Sequence, residues 1–322
     1  MHYDVFNGDA DGIIALLQLR FAEPKESTLI TGVKRDIKLL EQVDGDKATS
    51  VTALDISMEK NLPELEGLLA KDVSVFYCDH HRSGDIPQSD KLEALIDLDA
   101  EVCTSLLINQ KLGGQYAKWA VAAAFGDNLF ASAEKLATEI GLSDSETEFL
   151  KELGTLINYN GYGASLEDLH IEPAELYRQL SQFEDPLALL DDETSPYHVL
   201  KAGYALDHAK VTSIEPSHSD AQCKVFELPC EAWARRISGV FGNELANQSP
   251  ELAHGVLTLN PNHQDYTVSV RAPLNNRIGA DEICSSFPTG GGRKAAAGIN
   301  QLPKDDVAKF TQVLSDFYKS SN

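Results

Sequence analysis

The first hundred residues alternate between two hydrophobic patterns. Short β-branched or aromatic runs, Tyr3 to Phe6, Thr28 to Val33, Ser50 to Leu54 and Val73 to Cys78, are separated by segments with apolar residues at helical spacing. Those segments are Ile13 to Phe21, Asp36 to Val43 and Leu62 to Ala70. A βαβ succession of this kind predicts a parallel sheet with helices on both faces. In such sheets ligands collect beyond the carboxyl ends of the strands. From Val102 to Leu190 the pattern is helical, with segments at Val102 to Leu112, Tyr116 to Phe125, Ala131 to Ile140, Glu146 to Asn158 and Glu175 to Phe183. Pro196 to Lys210 reads as a connecting helix.

After the polar stretch Ser213 to Asp220 a second α/β pattern begins. It predicts a strand at Lys224 to Leu228, a helix at Ala232 to Leu245, and paired strands at Gly255 to Leu259 and Tyr266 to Arg271. A short helix (Ala280 to Ser286), a glycine turn and a terminal helix (Asp305 to Tyr318) follow. The expected fold is therefore α/β, with a parallel-sheet N-terminal domain that includes a helical part over 1–212. A smaller α/β C-terminal domain over 213–322 completes it, with the active site expected in the interdomain cleft.

Composition narrows the function. The chain has 322 residues and 43% hydrophobic content, enough for two cores, and 50 acidic against 27 basic residues give a formal charge of -23. Such a charge repels long polyanions, so a general nucleic-acid binder is excluded and any phosphorylated partner should be small. The cysteines Cys78, Cys103, Cys223, Cys230 and Cys284 show no CxxC spacing, and read as reduced, packed thiols. There is no basic n-region and no apolar stretch of membrane length, so the expectation is a soluble cytoplasmic protein without a membrane partner.

The chemistry lies where the strand patterns end. Tyr3-Asp4-Val5-Phe6 runs into Asn7-Gly8-Asp9-Ala10-Asp11-Gly12, Val51-Thr52-Ala53-Leu54 into Asp55, and Val73 to Cys78 into Asp79-His80-His81. Carboxylates so crowded repel one another unless something positive joins them. Asp9 and Asp11, one residue apart in a glycine-flanked loop, can address two neighbouring cations, with Asp55 bridging and His80 donating an imidazole nitrogen. This mixed oxygen and nitrogen set favours Mn²⁺ or a similar first-row ion over Ca²⁺. Asp127, at the end of a helical run, is a further candidate. Each residue also has a plainer reading: Asp9 and Asp11 as helix caps, the histidine pair as a polar loop, Asp55 and Asp127 as ordinary helix-start acids.

Taken together these motifs resemble those of the DHH-family phosphoesterases that carry the DHH-associated C-terminal domain. The resemblance rests on Asn7 to Gly12, Asp55, Asp79-His80-His81, Asp127 and the run Gly290-Gly291-Gly292-Arg293-Lys294-Ala295-Ala296-Ala297-Gly298, in that order along nearly the whole chain. It implies a phosphoesterase with two divalent ions, Mn²⁺ foremost. It further implies Asn7, Asp9, Asp11, Asp55, His80 and Asp127 at the metals, Asp79 as an orienting group and His81 facing the phosphate. Two departures matter. Asn7 stands where most relatives have histidine, so that position offers an amide in place of an imidazole. Arg293 ends the glycine run where the family has histidine, and a guanidinium beside Gly290, Gly291 and Gly292 suits a phosphate. Arg271 is a second candidate for the same anion, and Arg277 a weaker one.

A basic lip over a metal site points to short linear substrates bearing a terminal phosphate. The leading expectation is hydrolysis of a dinucleotide such as pGpG, left by opening cyclic di-GMP, to mononucleotides, an oligoribonuclease-like activity. The alternatives are a cyclic-dinucleotide phosphodiesterase, a 3′-phosphoadenosine-type nucleotide phosphatase and, outside enzymes, a metal-dependent nucleotide sensor. A homodimer is compatible with the sequence. Two features stay open: Lys34-Arg35, reading either as reaching the site rim or as a solvated helix start, and Asn158 to Gly163, reading as a packed loop or as a base-stacking platform.

Overall fold

The structure, a computed structural model, describes Met1–Lys319. The chain divides into two compact units, one running from Met1 to Gly203 and the other from Tyr204 onward. The division falls inside the helix Pro196–Val211, whereas the composition shift places the boundary just after it.

In the first unit β1 (His2–Phe6), β2 (Thr28–Ile30), β3 (Ser50–Leu54), β4 (Ser74–Asp79) and β5 (Leu92–Ile96) form one sheet in the order β2-β1-β3-β4-β5. Every pairing in it is parallel. Alternation along the strands explains why they read as continuous apolar runs. Tyr3, Val5, Val51, Ala53, Val75 and Tyr77 pack with Leu39, Leu40, Met58, Leu65 and Leu68 on one face. On the opposite face Asp4 accepts from Arg20 Nε at 2.9 Å and the Phe6 ring lies 5.9 Å from that of Tyr177.

The helices of this unit are α1 (Ala10–Ala22), α2 (Leu62–Ala70), α3 (Thr104–Lys111), α4 (Ala117–Gly126), α5 (Phe130–Glu139), α6 (Asp144–Asn160) and α7 (Pro173–Leu180), with α8 (Pro196–Val211) running across the division. Close approach of α4 to α6 and α1 requires small residues. A Cβ on Gly154 would lie 1.8 Å from Ala122 O, and one on Gly126 would lie 2.6 Å from Ala10 Cβ. These contacts hold the end of α4 beside the start of α1.

Two expectations change here. The helix read over Asp36 to Val43 is a short 3-10 turn, Leu39–Gln42, and β2 stops at Ile30. Backbone groups of the intervening segment are committed elsewhere: Val33 N–H donates to Asp36 Oδ2 (3.1 Å) and Lys34 N–H to Gly161 O (2.8 Å). The sheet also gains a fifth strand, β5, beyond the four that the hydrophobic runs predict; its half-exposed residues at the sheet edge carry little periodic signal.

The second unit holds β6 (His218–Ser219), β7 (Cys223–Leu228), α9 (Ala232–Gln248), β8 (Ala253–Leu259), β9 (Asp265–Arg271), α10 (Ala280–Ser285), β10 (Gly290–Gly292), β11 (Ala296–Pro303) and α11 (Val307–Lys319). Its sheet runs β10-β11-β9-β8-β7-β6, parallel between β7 and β8 and antiparallel elsewhere. Val225, Leu257, Val268, Val270, Ile299 and Phe310 lie in one core. The glycine run expected as a turn is instead a strand at the sheet edge. Gly290 pairs with Ile299 and Gly292 with Ala297, and the reversal falls on Arg293 to Ala295, where Arg293 N–H donates to Ala296 O at 2.9 Å. Cys78, Cys103, Cys223 and Cys284 are buried free thiols and Cys230 is half-buried. Among the described residues no helix is long and apolar enough to cross a membrane.

Candidate metal centre

β1, β3 and β4 are adjacent and parallel, so the loops leaving their carboxyl ends open on the same rim. The first loop is shaped by close packing: a Cβ on Gly8 would sit 1.8 Å from Gly32 O. Asp9 then caps α1, its Oδ1 accepting from Gly12 N–H at 3.1 Å. The plain capping reading is therefore true of Asp9, but it engages only one carboxylate oxygen. Asp11 is held from another side, its two oxygens accepting Thr104 N–H and Ser105 N–H, each at 2.7 Å, at the start of α3. Sequence reasoning misses Thr104 and Ser105, because nothing marks them as partners of a residue some ninety positions earlier.

Asp55 follows β3 with φ of 56°, a left-handed conformation rare outside glycine. Its N–H donates to Cys78 O at 3.0 Å and its Oδ1 accepts from Thr104 Oγ1 at 3.3 Å, so the unusual backbone is held by β4 and α3. Asp127 is the C-cap of α4.

These residues meet at one atom. His80 Nδ1 lies 2.9 Å from Val102 O, which can only accept, so that nitrogen carries the proton and Nε2 presents a bare lone pair. Nε2 faces Asp55 Oδ1 at 3.4 Å, Asp11 Oδ2 at 3.8 Å and Asp127 Oδ2 at 3.9 Å. Nε2 makes no hydrogen bond to these oxygens, and the side chains of His80, Asp11 and Asp55 are almost fully buried. Burial pushes the Asp55 carboxyl well above the usual range, and the charges of Asp9 and Asp11 add to the effect. Lone pairs facing one another out of water call for a cation, and an imidazole held by a carbonyl on its far nitrogen is the usual form of a metal ligand. The donor set fits one first-row divalent ion at His80, Asp11, Asp55 and Asp127.

His81 sits beside this group. Its Nδ1 is 2.7 Å from Asp79 Oδ1 and 3.8 Å from Asp55 Oδ1, and its side chain is 34% exposed. Asp79 is fully buried, so it fixes the ring while Nε2 stays available.

Asp9 is not within 4 Å of His80 Nε2 among the described residues. Its Oδ2 instead accepts from Lys34 Nζ, which also donates to Asn158 Oδ1 at 3.0 Å. Burial would raise the Asp9 carboxyl, but Lys34 outweighs it and holds the group below its ordinary value. Burial would likewise lower the Lys34 ammonium, yet Asp9, then Tyr162 and Asp127, hold it above the usual lysine range. Asn7 Nδ2 donates to Lys34 O at 3.1 Å, and its Oδ1 is buried without a hydrogen-bond partner. The Lys34 segment thus reaches the site, and Asn158 joins it from α6.

The remaining candidates lie in the second unit. Arg271 donates to Asn243 Oδ1 (2.6 Å), Ser269 Oγ (2.8 Å), Val270 O (3.1 Å) and Gly239 O (3.2 Å), so its guanidinium is spent within its own unit. Gly290 and Gly291 are half-buried, and Gly292 and Arg293 are exposed.

No family model and no curated protein matches the chain. Solved structures do. An exonuclease RecJ bound to manganese is 16% identical with a TM-score of 0.61, over 99% of this chain and 90% of that one. The DHH domain of a member of a ribosomal-protein family is 14% identical, TM-score 0.61, over 98% and 86%. The pGpG-specific phosphodiesterase PggH from Vibrio cholerae is 13% identical, TM-score 0.55, with both chains covered completely at 100%. At these identities the likeness is one of fold: the chain shares the fold of these three structures, a DHH domain among them.

Proposed function

We propose that the protein is a metal-dependent phosphodiesterase that cleaves short linear dinucleotides, with pGpG as the representative substrate, to mononucleotides. The observation that carries this reading is the convergence of Asp11, Asp55 and Asp127 on the bare Nε2 of His80. These four side chains hold the ion, for which Mn²⁺ is the expected occupant. When bound, such an ion lowers the pKa of a water and withdraws charge from a phosphate, and no covalent enzyme intermediate is needed. His81, its ring oriented by Asp79 through a 2.7 Å contact, is the group we assign to the scissile phosphate. Arg293 is assigned to the terminal phosphate. Arg271 is assigned to structure, since four of its five N–H donors are committed within its own unit.

Substrate size follows from charge. A body with a net charge of -23 disfavours a long strand, whose every phosphate adds repulsion, whereas a dinucleotide presents only two phosphates to local cations. The whole-chain fold likeness to PggH is consistent with this choice, and the likeness to RecJ names the competitor to be tested. The experiment is to strip the full chain of metal, restore Mn²⁺, and compare pGpG, a long single strand, a cyclic dinucleotide and adenosine 3′,5′-bisphosphate by chromatography of the products. We expect pGpG to be consumed fastest. Faster turnover of any of the other three overturns the substrate assignment, and no turnover of any of them overturns the enzyme reading in favour of a nucleotide sensor.

A further inference from the structure

We infer that this centre is mononuclear and that the ammonium of Lys34 stands where a second divalent cation would otherwise sit. The inference concerns the metal-dependent site proposed above and rests on that placement of the ion, though not on the identity of the substrate.

Three observations support it. Lys34 is anchored at both ends of its backbone, its N–H donating to Gly161 O at 2.8 Å and its carbonyl accepting from Asn7 Nδ2 at 3.1 Å. Its side chain is only 26% exposed, and the ammonium reaches Asp9 Oδ2 and Asn158 Oδ1 (3.0 Å) and lies 5.5 Å from the centre of the Tyr162 ring. This is a charge seated among oxygens from α1 and α6 and an aromatic face, not a surface lysine in passing contact.

Asn7 is the second observation. Because Lys34 O can only accept, the Asn7 amide must turn its NH₂ toward it, and an amide NH₂ has no lone pair for a metal. The side chain at the position of the first motif thus serves to hold the Lys34 backbone. Its Oδ1, buried and without a partner, is the sole donor left there.

The third observation is the split of the carboxylates. Asp11, Asp55 and Asp127 lie within 3.9 Å of His80 Nε2, while Asp9 uses one oxygen to cap α1 and gives the other to Lys34. A second ion would have to displace the lysine from Asp9 and find a nitrogen ligand that this chain does not offer at Asn7. One residue supplies the charge and the other positions it, so the asparagine and the lysine belong to a single device.

The test counts metal. The full-length chain, freed of metal and loaded with excess Mn²⁺, is dialysed and assayed for manganese per chain and by electron paramagnetic resonance. We expect one Mn²⁺ per chain with the spectrum of an isolated ion. Two ions per chain with an exchange-coupled spectrum would overturn the inference. The double variant Asn7→His/Lys34→Met is expected to gain the second ion and the coupled spectrum; a folded variant that still binds one ion overturns the role given to Lys34. Lys34→Arg, which keeps the charge and guards against a folding artefact, is expected to stay at one ion, and uptake of two by it also counts against the inference. The readout is separate from turnover: one ion in a protein that hydrolyses none of the four substrates would reject the enzyme reading and leave this one standing. Two ions in a protein that cleaves pGpG would do the reverse.

Discussion

Among the described residues, two clusters have the composition of a metal site. One is Asp55, His80 and His81 in the first unit; the other is His218, Asp220 and Cys223 in the second. Their protons separate them. Asp220 accepts from Gln222 N–H and Cys223 N–H at 2.8 Å each, from Ser315 Oγ at 2.7 Å, and lies 2.9 Å from His218 Nε2. Burial would raise its carboxyl, but the Ser315 and His218 bonds and the two backbone donors hold it well below the ordinary value. Burial meanwhile pushes the Cys223 thiol up to about 12, far from the thiolate a metal needs. Every acceptor there already has a hydrogen, and the cluster ties β6, β7 and α11 together. Around His80, by contrast, Nε2 has no hydrogen bond to the carboxylates it faces. Residue type and proximity do not separate the two clusters; hydrogen-bond pairing does.

The contrast can be broken most directly at His80. His80→Ala should lower Mn²⁺-dependent turnover by ~10³-fold or more, as expected for loss of a ligand in metal catalysis. Mn²⁺ should raise the melting temperature of the parent and leave that of the variant nearly unchanged, because only a bound ion shifts unfolding. An equal rise in both would place the ion elsewhere.

Asp220→Ala should act on stability alone. Losing an acceptor with four donors should cost about 2–4 kcal/mol in a denaturant titration, with manganese per folded chain unchanged. Reduced metal content would make the second cluster a metal site after all.

A third test uses acid. His254 lies in β8, completely buried, with neither ring nitrogen hydrogen-bonded, and burial, helped by Lys224, pushes its pKa down to about 4. Above its ordinary value of 6.5 both folded and unfolded states carry it neutral, and it contributes nothing to pH dependence. Between 6.5 and about 4 the unfolded chain takes up a proton that the folded chain refuses, so stability falls as the pH drops. The slope should reach ~1.4 kcal/mol per pH unit, and His254→Gln should flatten it in melts at a series of pH values. An unchanged slope would mean that the ring is protonated in the folded state.

The smallest effect is expected within the glycine run. A Cβ on Gly291 meets nothing within 4 Å, whereas one on Gly290 would lie 1.8 Å from Cys284 O. Gly291→Ala should shift stability by less than about 1 kcal/mol and Gly290→Ala by more, measured by thermal melts of the two variants side by side. Equal shifts would mean that the edge strand is looser than its packing implies.

Much of the fold was legible because it is local. The apolar spacing of Leu62 to Ala70 corresponds to α2 to the residue, and the run ending at Cys78 announced β4 within one position. The start of α6 was read two residues late. Ser143 and Glu146 form a capping box, a signature that sets the helix to begin before Glu146, where apolar periodicity alone placed it. What escaped was non-local. β5 and β11 are identified by their pairing partners, and the glycines of β10 become a strand only because Ala297 to Ile299 lies alongside.

The same division runs through the site. The sequence alone determined which side chains can bind a cation, and the strand-loop-helix pattern determined that Asp9, Asp11, Asp55 and His80 leave one rim of a sheet, because strand periodicity and loop position are properties of neighbouring residues. It could not say which carboxylates face the same imidazole nitrogen. Tertiary structure decided that, by bringing Val102 O to one nitrogen of His80 and the ammonium of Lys34 to Asp9 across a gap of many residues. Charge and proton positions depend on distances in space, and those distances exist only once the sheet, α3 and α6 have packed.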